Sequence, residues 1–309
     1  MRFLIPGFSD EDQVRQLYEE SDGADKTLYL VYIRLVNNIQ KFDSDVNAEK
    51  YAWMLLWTRV FNALQDALIL RNTSTTLTIQ MLLRSIGDIQ RIVLLLCKSI
   101  EPIVDSTVNV DVLVNRMRDY AVWCLWSDCK AIRDQSDYRS TRKVFDPNPL
   151  KEMKNQKLFQ EMYPNFIQME TDPSKLKKQR EKYEADLYSQ IKSIEDIVND
   201  LGLKGLWDYL ERKGDQHKSY IEFTIDNNTS VKKEMAENDI RFGYSEYMKQ
   251  SNIIHGSTAM EMIYHHEDQY VLRINEPDKI VAQKINALSE SLLVLTNNLS
   301  IICYAMGWD

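Results

Sequence analysis

Apolar residues recur along most of this chain at intervals of three and four, the period of an α-helix with one buried face. Ser9-Asp-Glu-Asp gives a cap-like acidic start to a short helix over 9 to 20. Residues 27 to 41 place Leu28, Val31, Leu35 and Ile39 on one side. Residues 47 to 71 run without a breaker and carry Trp53, Leu56, Trp57, Val60, Phe61, Leu64 and Leu68, the stripe of a core-facing helix. A Ser-Thr-Thr cluster after Asn72 caps the most apolar segment, LTIQMLLRSIGDIQRIVLLLCKSI, and Pro102 ends it. A long helix over 110 to 136 has Val112, Val114, Met117, Tyr120, Ala121, Trp123 and Cys124 as buried candidates. The closing helix, 278 to 305, repeats the pattern with Ile280, Ile285, Leu288, Leu292, Leu295, Leu299 and Ile302.

The middle of the chain differs. Pro147, Pro149, Pro164 and Pro173 fall within 140 to 175, a connecting region with room for one short helix, LKEMKNQKLFQEMY. Residues 174 to 200 are highly charged, with Leu176, Tyr183, Leu187, Ile191, Ile194 and Ile197 at amphipathic spacing. Gly202, Gly205 and Gly214 punctuate the next stretch, and TSVKKEMAENDI starts another short helix. QYVLRI, inside a polar loop at 265 to 278, has the composition of a short strand. The pattern predicts an all-α fold: a single helical domain over 1–309, a bundle core from 45–139 and 228–306, and a proline-rich, charged helical insertion at 140–227.

Composition narrows the possible functions. The 9 Gly and 7 Pro are few for a strand-and-turn protein of this length. Lys plus Arg is 38 against 46 Asp plus Glu, a net charge of −8, which argues against a general, sequence-blind DNA binder. Cys97, Cys124, Cys129 and Cys303 form no C-x-x-C pair, so no metal site is expected from them and their usage fits a reducing compartment. The opening MRFLIPG is too short for a secretory signal, and the run IVLLLC cannot span a bilayer. A cytoplasmic protein without membrane association or cofactor is expected.

Two places carry candidate chemistry. The first is YSEYMKQSNIIHGS, 244 to 257. Its Tyr244, Tyr247, Ser251 and His255 fall along one side of a helix, and Gly256 stops it. The second is Arg84, which interrupts the apolar helix with Asp88 four residues on. Such a pair shares a helix face. Within so apolar a run it implies a buried or cleft position, where an unpaired charge is costly. Its two readings are a structural ion pair and a phosphate clamp oriented by Asp88. His265 and His266 are expected in a polar loop and His217 in solvent.

These two stretches together resemble a bacterial helical family of unknown function grouped with the HEPN-like domains (higher eukaryotes and prokaryotes nucleotide-binding). The matching residues are Arg84 and Asp88 on the early helix, and Tyr244, Tyr247, Ser251, His255 and Gly256 on the later one. The resemblance spans roughly 45 to 305. It implies a HEPN-like bundle, often dimeric, that cleaves RNA without a metal, His255 acting as general acid/base and Arg84 stabilising the phosphorane charge. Many such proteins are toxins or act in phage defence beside partner proteins. In HEPN ribonucleases an Arg, often followed by Asn, precedes the His by four to six residues. Here Asn252 follows Ser251, and Lys249 lies six positions before His255.

The expected function is therefore an RNA-directed ribonuclease or toxin-type effector in bacterial anti-phage defence. Its catalytic residues would be His255, Arg84, Ser251 and Tyr244, with Lys249, Asn252, Tyr247 and Asp88 binding substrate. The alternative is a non-catalytic module that binds a nucleotide or a partner protein through the same pocket.

Overall fold

The computed structural model describes residues 11–40, 46–71, 76–97, 110–141, 172–217, 220–226, 263–266, 269–272 and 278–308, with isolated positions between 151 and 161. Its helices are α1 (Glu11–Glu20), α2 (Gly23–Gln40), α3 (Ala48–Leu70), α4 (Thr76–Cys97), α5 (Val110–Thr141), α6 (Pro173–Asp200), α7 (Lys204–Lys213), α8 (Tyr220–Asp226) and α9 (Asp278–Ala305). A 3₁₀ turn covers Gly214–Gln216. Two short antiparallel strands, β1 (Ile263–His266) and β2 (Gln269–Leu272), pair Ile263 with Leu272 and His266 with Gln269. Among the described residues the architecture is all-α apart from this ribbon. The chain forms two compact units, one of Met1–Ala121 with Gln216–Asp309 and one of Val122–Asp215.

In the first unit α2, α3, α4 and α9 pack around one core, and α1 lies on α2. Periodicity dictates the faces. Leu28, Val31 and Leu35 of α2, Trp53, Leu56, Val60 and Leu64 of α3, and Leu288, Leu292, Leu295 and Leu299 of α9 are fully buried. Both α3 indoles also use their one polar atom. Trp53 Nε1 donates to the Leu299 carbonyl at 3.1 Å and Trp57 Nε1 to the Leu35 carbonyl at 2.9 Å. Trp57 stacks on Phe61 with centroids 4.9 Å apart, and Tyr32 tilts against Phe61 at 5.9 Å. Between α2 and α9, Asn38 donates to Ser300 Oγ at 2.9 Å, and Arg34 to Asn297.

Local chemistry sets the helix ends. The Asn47 side chain accepts from Lys50 N at 2.8 Å and starts α3. Asp172 does the same for Ser174, with Pro173 in the first turn of α6. Gly202 and Gly307 end α6 and α9 with φ of 66° and 64°. Each is followed by a six-to-one bond, Leu203 N to Val198 O and Trp308 N to Cys303 O. That closure needs a left-handed residue, which glycine adopts without strain.

The start of α5 joins the first unit. Leu113, Met117 and Tyr120 are buried. Arg116 is buried too, and its Nη1 donates to the Leu95 carbonyl at 2.6 Å. From α8, Tyr220 donates to the Arg116 carbonyl at 2.9 Å and meets Tyr120 edge-on at 5.1 Å. Burial pushes the Asp119 carboxyl up to about 6, against the pull of Arg118.

The second unit comprises the rest of α5 with α6 and α7. Trp126, Cys129, Leu187, Leu203, Trp207 and Leu210 are buried. Arg133 Nη1 donates to both Glu211 carboxylate oxygens at 2.8 Å, and Lys130 pairs with Asp215. The Lys130 ammonium also lies 5.2 Å from the Trp126 ring centroid. Burial pushes the Cys129 thiol up, so it is a packed hydrophobe and not a nucleophile.

Several sequence expectations change. Val112, Val114 and Trp123 are only half-buried, while Leu113 and Arg116 are buried instead. His217, expected in solvent, is buried, with its ring edge-on to Phe223 at 5.7 Å. The sequence reading passed over α7 and α8 altogether. QYVLRI does supply a strand, β2, and β1 holds His265 and His266. By length and composition α9 could cross a bilayer, but its leucine stripe is buried in the bundle. The segment TSVKKEMAENDI and the stripe at 244 to 257 lie outside the described residues.

Two measurements follow. The folded state holds the Asp119 proton more tightly than the unfolded chain, whose pKa is near 3.8. This group therefore costs nothing at pH values below both pKa values. Stability is lost as pH rises from about 4 to about 6, by up to about 3 kcal/mol. Asp119→Asn is expected to raise unfolding stability at pH 7.5 and to change it little at pH 4, as read by denaturant titration at both values. In the second unit, a Cβ on Gly214 would sit 2.3 Å from the Trp126 ring, although the glycine has an ordinary φ of −60°. Gly214→Ala should cost about 1–3 kcal/mol by overpacking alone, with a shift in tryptophan fluorescence.

Candidate functional site

On α4, residues 84, 88 and 91 are spaced four and three apart, which brings Arg84, Asp88 and Arg91 onto one side of the helix. Arg84 and Arg91 are half-buried and Asp88 is exposed at one edge. Helix α3 packs beside α4 and adds Arg59. All three guanidiniums lie close enough to Asp88 to act on its charge. Partial burial pushes the Asp88 carboxyl above its ordinary value, and Arg84, Arg91 and Arg59 pull it back, in that order. Burial wins, so this carboxyl holds its proton more tightly than a free one. Three guanidiniums gather around this one carboxyl.

The cluster stands on a stiff base. Arg59 lies over the Tyr120 ring, its guanidinium carbon 5.9 Å from the centroid. Tyr120 is buried against Tyr220, whose hydroxyl is tied to the α5 backbone. Arg116 links that backbone to α4 through Leu95. Thus α3, α4, α5 and α8 are joined near Arg59 and about one turn beyond Arg91. A guanidinium fork held this way suits the oxygens of a phosphate or carboxylate.

Of the residues expected from sequence, the structure brings together Arg84 and Asp88. Tyr244, Tyr247, Lys249, Ser251, Asn252 and His255 lie outside the described residues. Sequence reasoning missed Arg91 and Arg59. Arg91 carried a readable signal, seven residues from Arg84 and three from Asp88. Arg59 carried none, because only the packing of α3 on α4 delivers it. Among the described residues, no group of three or more His, Cys, Asp or Glu is placed to hold a metal ion.

Comparison with known proteins gave no match to a family model, to a curated protein or to a solved structure.

Proposed function

We propose that this chain is a HEPN-like, RNA-directed protein whose α3–α4 arginine cluster engages the phosphate backbone. One observation carries the reading: Arg59, Arg84 and Arg91 gather around Asp88 on a chain whose net charge is −8. Clustered guanidiniums attract a polyanion, while the global charge discourages indiscriminate binding.

The sequence suggests a catalytic step as well. In that reading His255 removes the proton of a ribose 2′-hydroxyl, and the oxygen attacks the neighbouring phosphorus. The bond to the 5′-oxygen breaks and that oxygen takes a proton from water or from the protonated His255, leaving a 2′,3′-cyclic phosphate and a 5′-hydroxyl. Arg84 stabilises the charge on the phosphorane oxygens. Tyr244 and Ser251 would position the substrate, with Lys249, Asn252 and Tyr247 along the same stripe. A metal-independent endoribonuclease of this kind would serve as a toxin-type effector in bacterial defence.

Ser251, in place of an arginine before Asn252, favours a second reading, a non-catalytic nucleotide-binding module. The arginine cluster serves both readings, and one experiment separates them. Arg84→Ala is expected to weaken single-stranded RNA binding and to reduce its salt dependence by about one released counter-ion. His255→Ala is expected to keep RNA binding and lose cleavage by about 10²–10⁴-fold, scored on labelled RNA with products resolved by gel. Wild-type protein that binds RNA without cleaving it selects the binding module. RNA binding indifferent to Arg84 overturns both.

A further inference from the structure

Helix α6 presents to solvent a polar stripe that runs its whole length. Its first turns contribute Lys175, Lys178 and Lys182, and its last turns contribute Asp196 and Asp200. Asp186, Ser189 and Ser193 join the two ends. Successive members are three or four residues apart, which keeps them on one side of the helix, and every one is exposed. Leu176, Leu187 and Val198 occupy a different, buried side.

Charge along this stripe is segregated, cations first and anions last. A helix macrodipole favours the reverse, carboxylates near its N-terminus and ammonium groups near its C-terminus. Apart from the capping Asp172 just before it, α6 has no acidic residue in its first turn, and it has no basic residue in its last. The neighbouring side of α6 neutralises its own charges, through Lys177–Glu181 at 3.9 Å and Arg180–Glu184 at 2.7 Å. Among the described residues, Lys178, Lys182, Asp186, Asp196 and Asp200 make no ion pair. The arrangement is unfavourable within one helix and gains nothing from its own chain.

It is, however, its own complement. Two copies of α6 laid antiparallel about a two-fold axis place Lys175 opposite the partner's Asp200 and Lys178 opposite the partner's Asp196. Lys182 then faces the partner's Ser193, and Asp186 the partner's Ser189. One register serves all four contacts, because each pair of positions is centred on residues 187–188. The two macrodipoles also oppose each other, so each lysine end meets the negative end of the other helix.

We propose that α6 is a self-association surface on which a second copy of this chain pairs antiparallel along the charged stripe. The pairing is independent of the arginine cluster on α4. A nucleic acid would suit the lysine end alone and be repelled by the three aspartates further along the stripe, whereas a second copy fits all of it. The stripe carries no apolar side chain, so the association is electrostatic and salt-sensitive.

The test is sedimentation equilibrium of the full chain at low and at high salt. It compares wild type, Lys178→Glu, Asp196→Lys and an equimolar mixture of the two variants. Both substitutions fall on exposed positions and suit the macrodipole better than the native residues, so α6 is expected to stay folded, as circular dichroism checks. Wild type is expected to dimerise at low salt and dissociate at high salt. Each variant sets two like-charge contacts across the axis and should weaken the dimer by roughly tenfold. The mixture should restore it, because the new charge of each variant then faces an opposite charge on the other. Weakening without recovery in the mixture overturns the register. A dimer indifferent to salt and to both reversals lies on another surface and overturns the proposal. Wild type that stays monomeric at low salt overturns it as well, and loss of RNA binding in Lys178→Glu would then assign the lysines to a polyanion.

Discussion

The first unit depends on how α3 is buried. Trp53 and Trp57 sit one turn apart and each donates its indole N–H to a backbone carbonyl of a different helix, α9 and α2. A buried indole without an acceptor would lose the full worth of its hydrogen bond. These two bonds therefore fix where α2 and α9 lie along α3, beyond what leucine packing requires. Leucine stripes tolerate sliding by a turn, whereas a carbonyl aimed at an indole does not. The bonds from Asn38 and Arg34 to α9 act in the same direction.

With α3 fixed on its inner side, its outer side becomes a rigid platform. Helix α4 completes the hairpin, and the start of α5 locks it through Arg116 and Tyr120. Arg59 stands on the exposed face of that hairpin, and Arg84 and Arg91 are half-buried on α4. Positional precision matters here because guanidiniums recognise phosphate by fixed geometry. Mobile lysines on a solvated helix would give charge without direction.

The distribution of charge separates the two units. Along α6 and α7, Lys177–Glu181, Arg180–Glu184 and Lys204–Asp208 pair at one-turn spacing. Each pair is well exposed and adds little stability, but it cancels the local field. Arg59, Arg84 and Arg91 instead gather around one carboxyl, Asp88, whose proton affinity burial raises.

Much of the fold was legible in the sequence because helical burial leaves a periodic record. The long stripes of α2, α3 and α9 were readable at most of their positions. So was the Arg84–Asp88 pair, since both lie on one helix and spacing alone brings them together. The short helices α7 and α8 were not, because a stretch of seven to ten residues offers too few turns for a period to stand out. Burial of His217 and Arg116 was hidden for another reason: what covers a polar side chain comes from other helices. The same holds for the site. Sequence determined that α4 carries charge within an apolar run, but the approach of Arg59 to Asp88 is a tertiary fact. It arises because α3 and α4 fold back against each other in one register, and that register is set by contacts made on their opposite faces.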